Sequence, residues 1–406
     1  MLALGTTIAI SWAKGYRPSF KEKIIKGTGL LVANSYPQGA LVFLNDKLTT
    51  ATNDTLHLPP GEYKIKIVKD GFLPWEKVLK LESELVFQTN ARLFPSVPDL
   101  TALTFTGAIS PTPSPNGQKI VYAVASASAS LKNGLWVLDL SDSPIKFGSN
   151  HNQIAQNSST IDFSQAKLTW SPNSQQVLVS LPDDGHFLLP ADSLTKAGSL
   201  KDVSARLPLI LEEWEQELAA SKQKRWEKLP KEIQTIASTS AQFTFFSPDE
   251  TKIVYLATKE ALISEELISS LPATNTQPEE RKIKPGRIYV YDLKEDRNFF
   301  VKTVQEWEES EESESKQTIN STLERISREY ALFYTPLPQW LPTSQHLIYI
   351  GENKINIIEY DGSNPTPVFA GSFENSFVFP WPTGNKLIIL TSLNSPDVNL
   401  YGINLR

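Results

Sequence analysis

The chain has 406 residues, a formal net charge of −6 and no cysteine. This length predicts two or three domains. The absence of cysteine excludes disulfides and thiolate metal sites, and the acidic balance argues against a general nucleic-acid binder, whose surface is normally basic. A content of 28 prolines against one methionine is typical of a β-rich chain with many turns.

An apolar segment, Leu2–Ala13, begins the chain. Twelve helical residues span about 18 Å, whereas a bilayer core is about 30 Å thick. Basic residues follow this segment from Lys14 onward, but none precedes it. The segment is either the second half of a membrane anchor whose beginning lies upstream or a buried or frayed terminus. We expect the first and assign residues 1–20 to a partial anchor.

Residues 21–95 have the alternating strands and tight turns of a half-buried antiparallel sheet. Along Tyr63–Val68, tyrosine and isoleucines alternate with lysines, which predicts one buried and one solvated face. Three motifs, Ser35–Ala40, Leu58–Tyr63 and Lys69–Phe72, together with Trp75, closely resemble the PEGA domain, which is a small β-sandwich. Its name-giving turn reads Pro-Gln-Gly-Ala here, and Thr49–Thr52 stands where the family has Gly-x-Thr-Pro.

A turn followed by a strand recurs five times in the rest of the chain. Each copy has a proline, then turn-forming residues, and an aliphatic residue five positions after the proline. The five prolines are Pro115, Pro172, Pro248, Pro342 and Pro382. The last two are 40 residues apart, close to the roughly 40–45 residues of a propeller blade, so the longer earlier intervals of 57, 76 and 94 imply insertions.

We therefore predict an all-β chain in which residues 107–406 form a β-propeller of five blades. A sixth blade would be present if the neighbourhood of Leu194 or Thr239 contains a degenerate copy. Residues 96–106 link the domains, and Leu103–Phe105 is predicted as a strand that closes the ring beside the C-terminal strand Leu400–Leu405. The propeller resembles TolB-type and WD-related propellers, although it lacks regular Trp-Asp pairs.

An insertion at about residues 204–238 has a different pattern, with apolar residues spaced by three and four, as in helices. Pro208 and Pro230 suit the starts of two helices. We expect a helical hairpin that projects from the ring and can be deleted, acting either as a cap over a blade edge or as a partner-binding arm. The acidic stretch 306–314 is interpreted as a solvated face, with a calcium or basic-partner site as the alternative.

No motif of a catalytic, cofactor or metal site is present, and we assign no such residue. His57, His151, His186 and His346 have no ligand spacing and are interpreted as ordinary surface or core residues. Asp139, Asp292 and Asp361 recur at strand ends and are predicted to close turns. A pair of catalytic carboxylates from distant blades would leave no local pattern.

The order of anchor, PEGA-like unit and propeller resembles membrane-anchored PEGA-propeller proteins of bacterial envelopes. The resemblance implies a single-pass anchor in the cell membrane, extracytoplasmic domains, and an envelope protein or glycan as partner. Two functions remain open: a non-catalytic binding or scaffold protein, or a glycan-active hydrolase or lyase with its site in the propeller channel. Carboxylates, Tyr or Arg on the central face would favour the enzyme, and small or apolar residues would favour binding.

Overall fold

The computed structural model describes residues 6, 17–19, 24–141, 150–183, 185–269, 275–304, 322–323, 325–326, 337–351, 353–374, 377–393 and 397–406. None of the helices in these ranges is long and apolar enough to span a bilayer. Apart from Thr6, the apolar segment Leu2–Ala13 lies outside the described residues, and so does the acidic stretch 306–314.

The N-terminal domain packs a four-stranded antiparallel sheet, in the order β6-β5-β8-β9, against two smaller sheets, β10-β3-β7 and β11-β4. Strands β1 and β2 form a separate pair. The strands are β1 (Arg17–Ser19), β2 (Ile24–Lys26), β3 (Gly29–Ala33), β4 (Ser35–Tyr36), β5 (Leu41–Leu44), β6 (Lys47–Ala51), β7 (Asp54–Leu58), β8 (Gly61–Val68), β9 (Trp75–Leu81), β10 (Val86–Gln88) and β11 (Ala91–Arg92).

The predicted alternation along β8 is confirmed. Ile65 and Ile67 are fully buried, whereas Lys64, which comes directly before Ile65, is exposed. Strand β9 alternates in the same way, with Trp75, Leu79 and Leu81 in the same core as the two isoleucines. Apart from Lys77 on β9, the buried face of each strand is apolar, so burying that face sets the pairing register of the sheet.

The C-terminal domain is built from five successive sheets of three or four antiparallel strands, here called the first to fifth sheets. They are β13–β16, β17–β19, β20-β21-β24-β25, β26–β29 and β30-β31-β32-β12. Their strands are β12 (Leu100–Ala102), β13 (Ile109–Pro113), β14 (Lys119–Val124), β15 (Gly134–Asp139), β16 (His151–Gln156), β17 (Lys167–Trp170), β18 (Gln176–Ser180), β19 (His186–Pro190), β20 (Ala241–Phe246), β21 (Lys252–Ala257), β24 (Arg287–Asp292), β25 (Arg297–Thr303), β26 (Gln339–Trp340), β27 (His346–Gly351), β28 (Lys354–Glu359), β29 (Thr366–Ala370), β30 (Val378–Pro380), β31 (Lys386–Thr391) and β32 (Asn399–Asn404). A ribbon of β22 (Ala261–Leu262) and β23 (Lys282–Ile283) is inserted in the third sheet.

The proline turns that predicted this repeat share one backbone geometry. In all five, the residue two after the proline has a positive φ, and its N–H donates to the carbonyl of the residue before the proline. The five positive-φ residues are Gly117, Ser174, Glu250, Ser344 and Gly384, with φ between 57° and 70°. A left-handed residue at this point closes a tight hairpin loop, so each copy connects the first two strands of its sheet.

Neighbouring sheets share hydrophobic cores, as the blades of a β-propeller do. Common clusters join the first sheet to the second, the third to the fourth, the fourth to the fifth, and the fifth back to the first. The indole of Trp170 donates to the Thr112 carbonyl at 2.8 Å, and that of Trp340 to the Phe245 carbonyl at 3.4 Å. Since these bonds join first strands of adjacent sheets, the first strands lie where the sheets converge.

Two helices, α1 (Leu207–Trp226) and α2 (Lys231–Thr239), connect the second and third sheets, as the apolar spacing predicts. The expectation that this hairpin projects from the ring is wrong for much of its length. The start of α1 is buried with Leu178 of the second sheet, and Ile233 and Ile236 of α2 are buried in the core of the third. Helical side chains thus extend the cores of both sheets.

The fifth sheet is completed by strands from both ends of the domain. The predicted strand Leu103–Phe105 is wrong by three residues, because Leu100–Ala102 pairs with β32 instead. The N–H groups of Leu103 and Thr104 both donate to the Leu400 carbonyl, so the chain turns away there and leaves Phe105 79% exposed. The two candidate positions for a sixth copy lie in an irregular segment after β19, at Leu194, and at the end of α2, at Thr239.

We expect Ile233→Ala to lower the free energy of unfolding by about 2–5 kcal/mol, because the deletion leaves a cavity in the core of the third sheet. Lys224→Ala on the exposed end of α1 is the matched control, with an expected change within about 0.5 kcal/mol. Urea unfolding followed by tryptophan fluorescence measures both. Equal stabilities for the two variants would show that α2 is a removable arm.

Candidate functional site

The N-terminal domain is docked on the fourth sheet through a buried charge cluster. Lys77 of β9 places its Nζ 2.6 Å from Glu359 Oε2 and 2.5 Å from Asp361 Oδ2. The Lys77 and Asp361 side chains are 7% and 0% exposed. Burying such charges costs several kcal/mol per ion unless the partners are close and well hydrogen-bonded.

The hydrogen bonds around this cluster meet that requirement, because all four carboxylate oxygens accept one. Glu359 Oε1 accepts from the Trp75 indole at 2.5 Å and from Asn364 Nδ2 at 2.9 Å. Asp361 Oδ2 also accepts from Asn275 Nδ2 at 2.8 Å, and Asp361 Oδ1 from the Ser363 N–H at 3.1 Å. The predicted role of Asp361 in closing its turn is therefore confirmed, and its second oxygen binds the other domain.

The protonation of the pair follows from this geometry. Burial works to lower the pKa of Lys77, but Glu359 and Asp361 outweigh it, so the pKa of Lys77 is raised. For Asp361, burial works to raise the pKa, and the Lys77 charge with the hydrogen bonds from Lys77, Ser363 and Asn275 lowers it overall. Both groups are charged at neutral pH, and each holds the other in that state.

The cluster lies in a repeat whose cross-strand pair at the start of the second strand differs from that of the third sheet. Four residues after each proline, the second strand begins with Lys119, Gln176, Lys252, His346 or Lys386. In the third sheet this residue, Lys252, faces Asp292 across the strands, with their charged groups 3.5 Å apart. In the fourth sheet His346 faces Glu359 instead. The cation that binds Glu359 is Lys77, which comes from the other domain.

His346 is buried at the domain boundary, with 6% of its surface exposed. Its ring meets Phe94 edge-on at a centroid distance of 5.9 Å, and Arg92 stands over the same phenylalanine at 5.7 Å. Burial, together with the charges of Arg92 and Lys77, lowers the pKa of His346 to about 3, so the imidazole is neutral. Among the described residues, its Nδ1 has no hydrogen-bond partner.

A cleft of about 880 Å³ separates the two domains beside this boundary. One wall is formed by the ends of β3, β4, β10 and β11 and the turn from Gln88 to Arg92. The other wall is formed by turns of the third and fourth sheets, with Asp249, Lys252, Thr343 and His346 among its residues. The volume is within the range of about 300–1,000 Å³ that is usual for small-molecule sites.

The remaining residues considered in the sequence have local roles. His151 Nδ1 is hydrogen-bonded to the Tyr122 hydroxyl at 2.9 Å and His186 Nδ1 to the Ser180 hydroxyl at 2.9 Å, while His57 is exposed on β7. Asp139 and Asp292 accept from backbone N–H groups two residues later, at 2.8 Å each, which confirms that they close turns. In the part of the chain that is described, no cluster of three or more His, Asp or Glu is arranged to hold a metal.

Sequence reasoning missed Lys77, Glu359, Arg92 and Thr343 as residues of one site. Lys77 and Glu359 are 282 positions apart in the sequence, so no local pattern joins these two residues. One signal was available, since His346 stands where three of the other four repeats have lysine.

We expect Lys77→Met to lower the free energy of unfolding by about 3–5 kcal/mol, because it leaves two buried carboxylates without their cation. The matched control is Lys66→Met, which removes the exposed pair between Lys66 and Glu76, 2.7 Å apart, and should cost about 1 kcal/mol or less. Urea unfolding measures both. If both variants lower the free energy of unfolding by the same amount, the cluster does not hold the domains together.

Stability should also depend on pH through His346. Its pKa is about 3 in the folded chain and 6.5 ordinarily, so between these values only the unfolded chain binds a proton there. The contribution of neutral His346 to the free energy of unfolding is fully present above pH 6.5. It decreases by about 1.4 kcal/mol per pH unit as the pH falls toward 3. His346→Gln should remove this part of the slope in urea titrations; an unchanged slope would contradict the assignment.

Comparison with known proteins gives one family match and several similar structures. Residues 28–96 match the PEGA domain. A putative TolB from Agrobacterium tumefaciens is 13% identical, with 76% of this chain and 78% of that chain covered and a TM-score of 0.21. TolB from Acinetobacter baumannii is 11% identical, covers 84% of this chain and 59% of that chain, and has a TM-score of 0.18.

An oligogalacturonate lyase from Vibrio parahaemolyticus is 8% identical, with 85% and 86% covered and a TM-score of 0.24. The search of curated proteins finds no match. TM-scores this low carry no argument about function. The family match and the five sheets together identify the described chain as a PEGA domain docked on a β-propeller.

Proposed function

We propose that this protein is a non-catalytic binding protein of the cell envelope and that its binding site is the cleft between the two domains. The observation that carries the proposal is that both domains supply walls to one cleft of about 880 Å³. The residues that hold the domains together are separate in sequence, so the site exists only when the PEGA domain is docked.

The docked arrangement is supported along the whole length of β9. Beyond Lys77, the Lys80 N–H donates to Thr276 Oγ1 at 3.2 Å, and the Gln277 amide donates to the Val78 carbonyl at 2.8 Å. On the other side of the boundary, Arg92 donates to the Gly384 carbonyl at 2.5 Å. Hydrogen bonds between the two domains hold the walls of the cleft in place before a ligand binds, which lowers the entropic cost of binding.

The residues on the first strands favour binding over a glycan-active enzyme with its site in the propeller channel. The described first strands of the five sheets read ISPTP, KLTW, AQFTFF, QW and VFP. They contain no Asp, Glu, Tyr or Arg, which are the residue types expected of a catalytic channel face. Apolar and hydroxyl side chains predominate there instead.

The envelope location rests on the resemblance of the chain to anchored PEGA-propeller proteins. We propose the corresponding division into a partial anchor at 1–20, the PEGA domain at 21–95, a linker at 96–106 and the propeller at 107–406. In this arrangement an N-terminal anchor places both domains outside the cytoplasmic membrane, where an envelope protein or a glycan is available as partner.

The proposal predicts that blocking the cleft abolishes ligand capture. Gln88→Trp places a bulky side chain on the exposed cleft wall, whereas Lys47→Trp adds the same side chain on β6, which does not line the cleft. Immobilised full-length protein is incubated with envelope extract, before and after glycan digestion. We expect wild type and Lys47→Trp to capture the same ligand and Gln88→Trp to lose it. Equal capture by all three would refute the cleft as the binding site.

A further inference from the structure

The strongest unexplained feature of the cleft is a set of buried polar atoms that have no partner. Arg92 Nε, Thr343 Oγ1 and His346 Nδ1 are all buried, and none has a hydrogen-bond partner among the described residues. All three residues line the cleft. Buried polar atoms are nearly always hydrogen-bonded, so a cluster that lacks partners points to a bound water or ligand.

The three residues are near neighbours at the domain boundary. A side-chain carbon added at Gly384 would lie 3.4 Å from a Thr343 methyl group and 3.9 Å from an Arg92 guanidinium nitrogen. His346 and Arg92 flank Phe94 on its edge and face. Together the three provide an N–H donor, a hydroxyl that can donate or accept, and a neutral imidazole nitrogen. This combination suits ligand hydroxyl groups, which both donate and accept.

The charges in the cleft do not favour a charged ligand. The lining contains four cations, Lys77, Arg92, Lys252 and Lys294, and four anions, Asp249, Asp292, Glu295 and Glu359, so its formal sum is zero. Two of the cations already face carboxylates, Lys77 at 2.5 and 2.6 Å and Lys252 at 3.5 Å. A strongly anionic or cationic ligand would therefore meet repulsion as well as attraction.

The walls are unusually rich in carboxamides. Seven Asn and Gln side chains line the cleft, and five of them belong to the PEGA wall: Asn34, Gln38, Asn53, Gln88 and Asn90. A carboxamide has an acceptor oxygen and two donor hydrogens, so it too matches a hydroxyl group without requiring charge. Asn34 Nδ2 donates to Asn90 Oδ1 at 2.7 Å, so ligand contact falls mainly to Gln38, Asn53 and Gln88. The apolar and aromatic side chains of the described lining are Val86, Phe87, Ala91, Tyr36 and Tyr360, so tryptophan, leucine and isoleucine anchors are absent from it.

We infer that the cleft binds a neutral carbohydrate, with a sugar hydroxyl at Thr343, His346 and Arg92 and further hydroxyls along the carboxamide wall. This inference rests on the proposed binding function and adds the ligand class. It assigns Thr343 and His346 to ligand contact and the PEGA carboxamides to selection among sugars.

The test compares two threonines that share one property. Thr343 and Thr244 both have a buried hydroxyl without a partner among the described residues, but Thr244 lies on β20 and does not line the cleft. Full-length wild type, Thr343→Val and Thr244→Val are titrated calorimetrically with maltotetraose, cellotetraose and chitotetraose. Tetragalacturonate, of the same length but acidic, and an unstructured acidic peptide complete the set of probes.

We expect wild type to bind at least one neutral tetrasaccharide, Thr343→Val to bind it roughly tenfold more weakly, and Thr244→Val to match wild type. Failure of every neutral probe, or an unchanged affinity in Thr343→Val, overturns the inference. If tetragalacturonate or the peptide alone binds and Thr343→Val weakens it, the carbohydrate class is wrong although the cleft remains a binding site. Gln88→Trp, which blocks the cleft, is titrated in the same way, and a probe that binds Gln88→Trp, Thr343→Val and wild type with equal affinity excludes the cleft itself.

Discussion

The interaction between Lys77 and the two carboxylates of the fourth sheet is the constraint on which the arrangement of the domains depends. Lys77 and Asp361 are buried and Glu359 is nearly so, with 13% of its side chain exposed, so none of these charges is stable there without the others. An ion pair of this kind adds little net stability compared with an apolar contact, but it is intolerant of misplacement. A PEGA domain shifted or rotated on the propeller would leave three charges buried and unpaired, so the cluster specifies one docked geometry.

The cleft is a consequence of that geometry. With β9 held against the fourth sheet, the loops at the ends of β3 and β10 face the turns of the third and fourth sheets across open space. Thr343 and His346 then belong to a shared wall, although each would lie on an ordinary propeller turn without the other domain. The propeller thus provides a rigid base, and the PEGA domain converts one part of its surface into a site.

The repeat shows how a site arises on a regular scaffold. All five proline turns have the same backbone, so their side chains are free to differ. In the third sheet the cross-strand pair is Lys252 with Asp292, and both partners lie in one sheet. In the fourth sheet histidine replaces the lysine, and Glu359 becomes available to Lys77. The internal contact of the third sheet is therefore replaced in the fourth by a contact between domains.

Local features of the sequence determined the parts of the structure that need only a few neighbouring residues. The five proline turns, the alternation along β8, the helices after Pro208 and Pro230 and the turn-closing aspartates all follow from side chains within about five positions of one another. Tertiary structure decided the rest. The closing strand lies at Leu100–Ala102 because its register is set by β32 at the other end of the domain, and Ile233 and Ile236 of α2 are buried because they pack in the core of the third sheet. The same holds for the site, since Lys77 and Asp361 are 284 positions apart and the burial that makes their contact strong exists only after the domains dock.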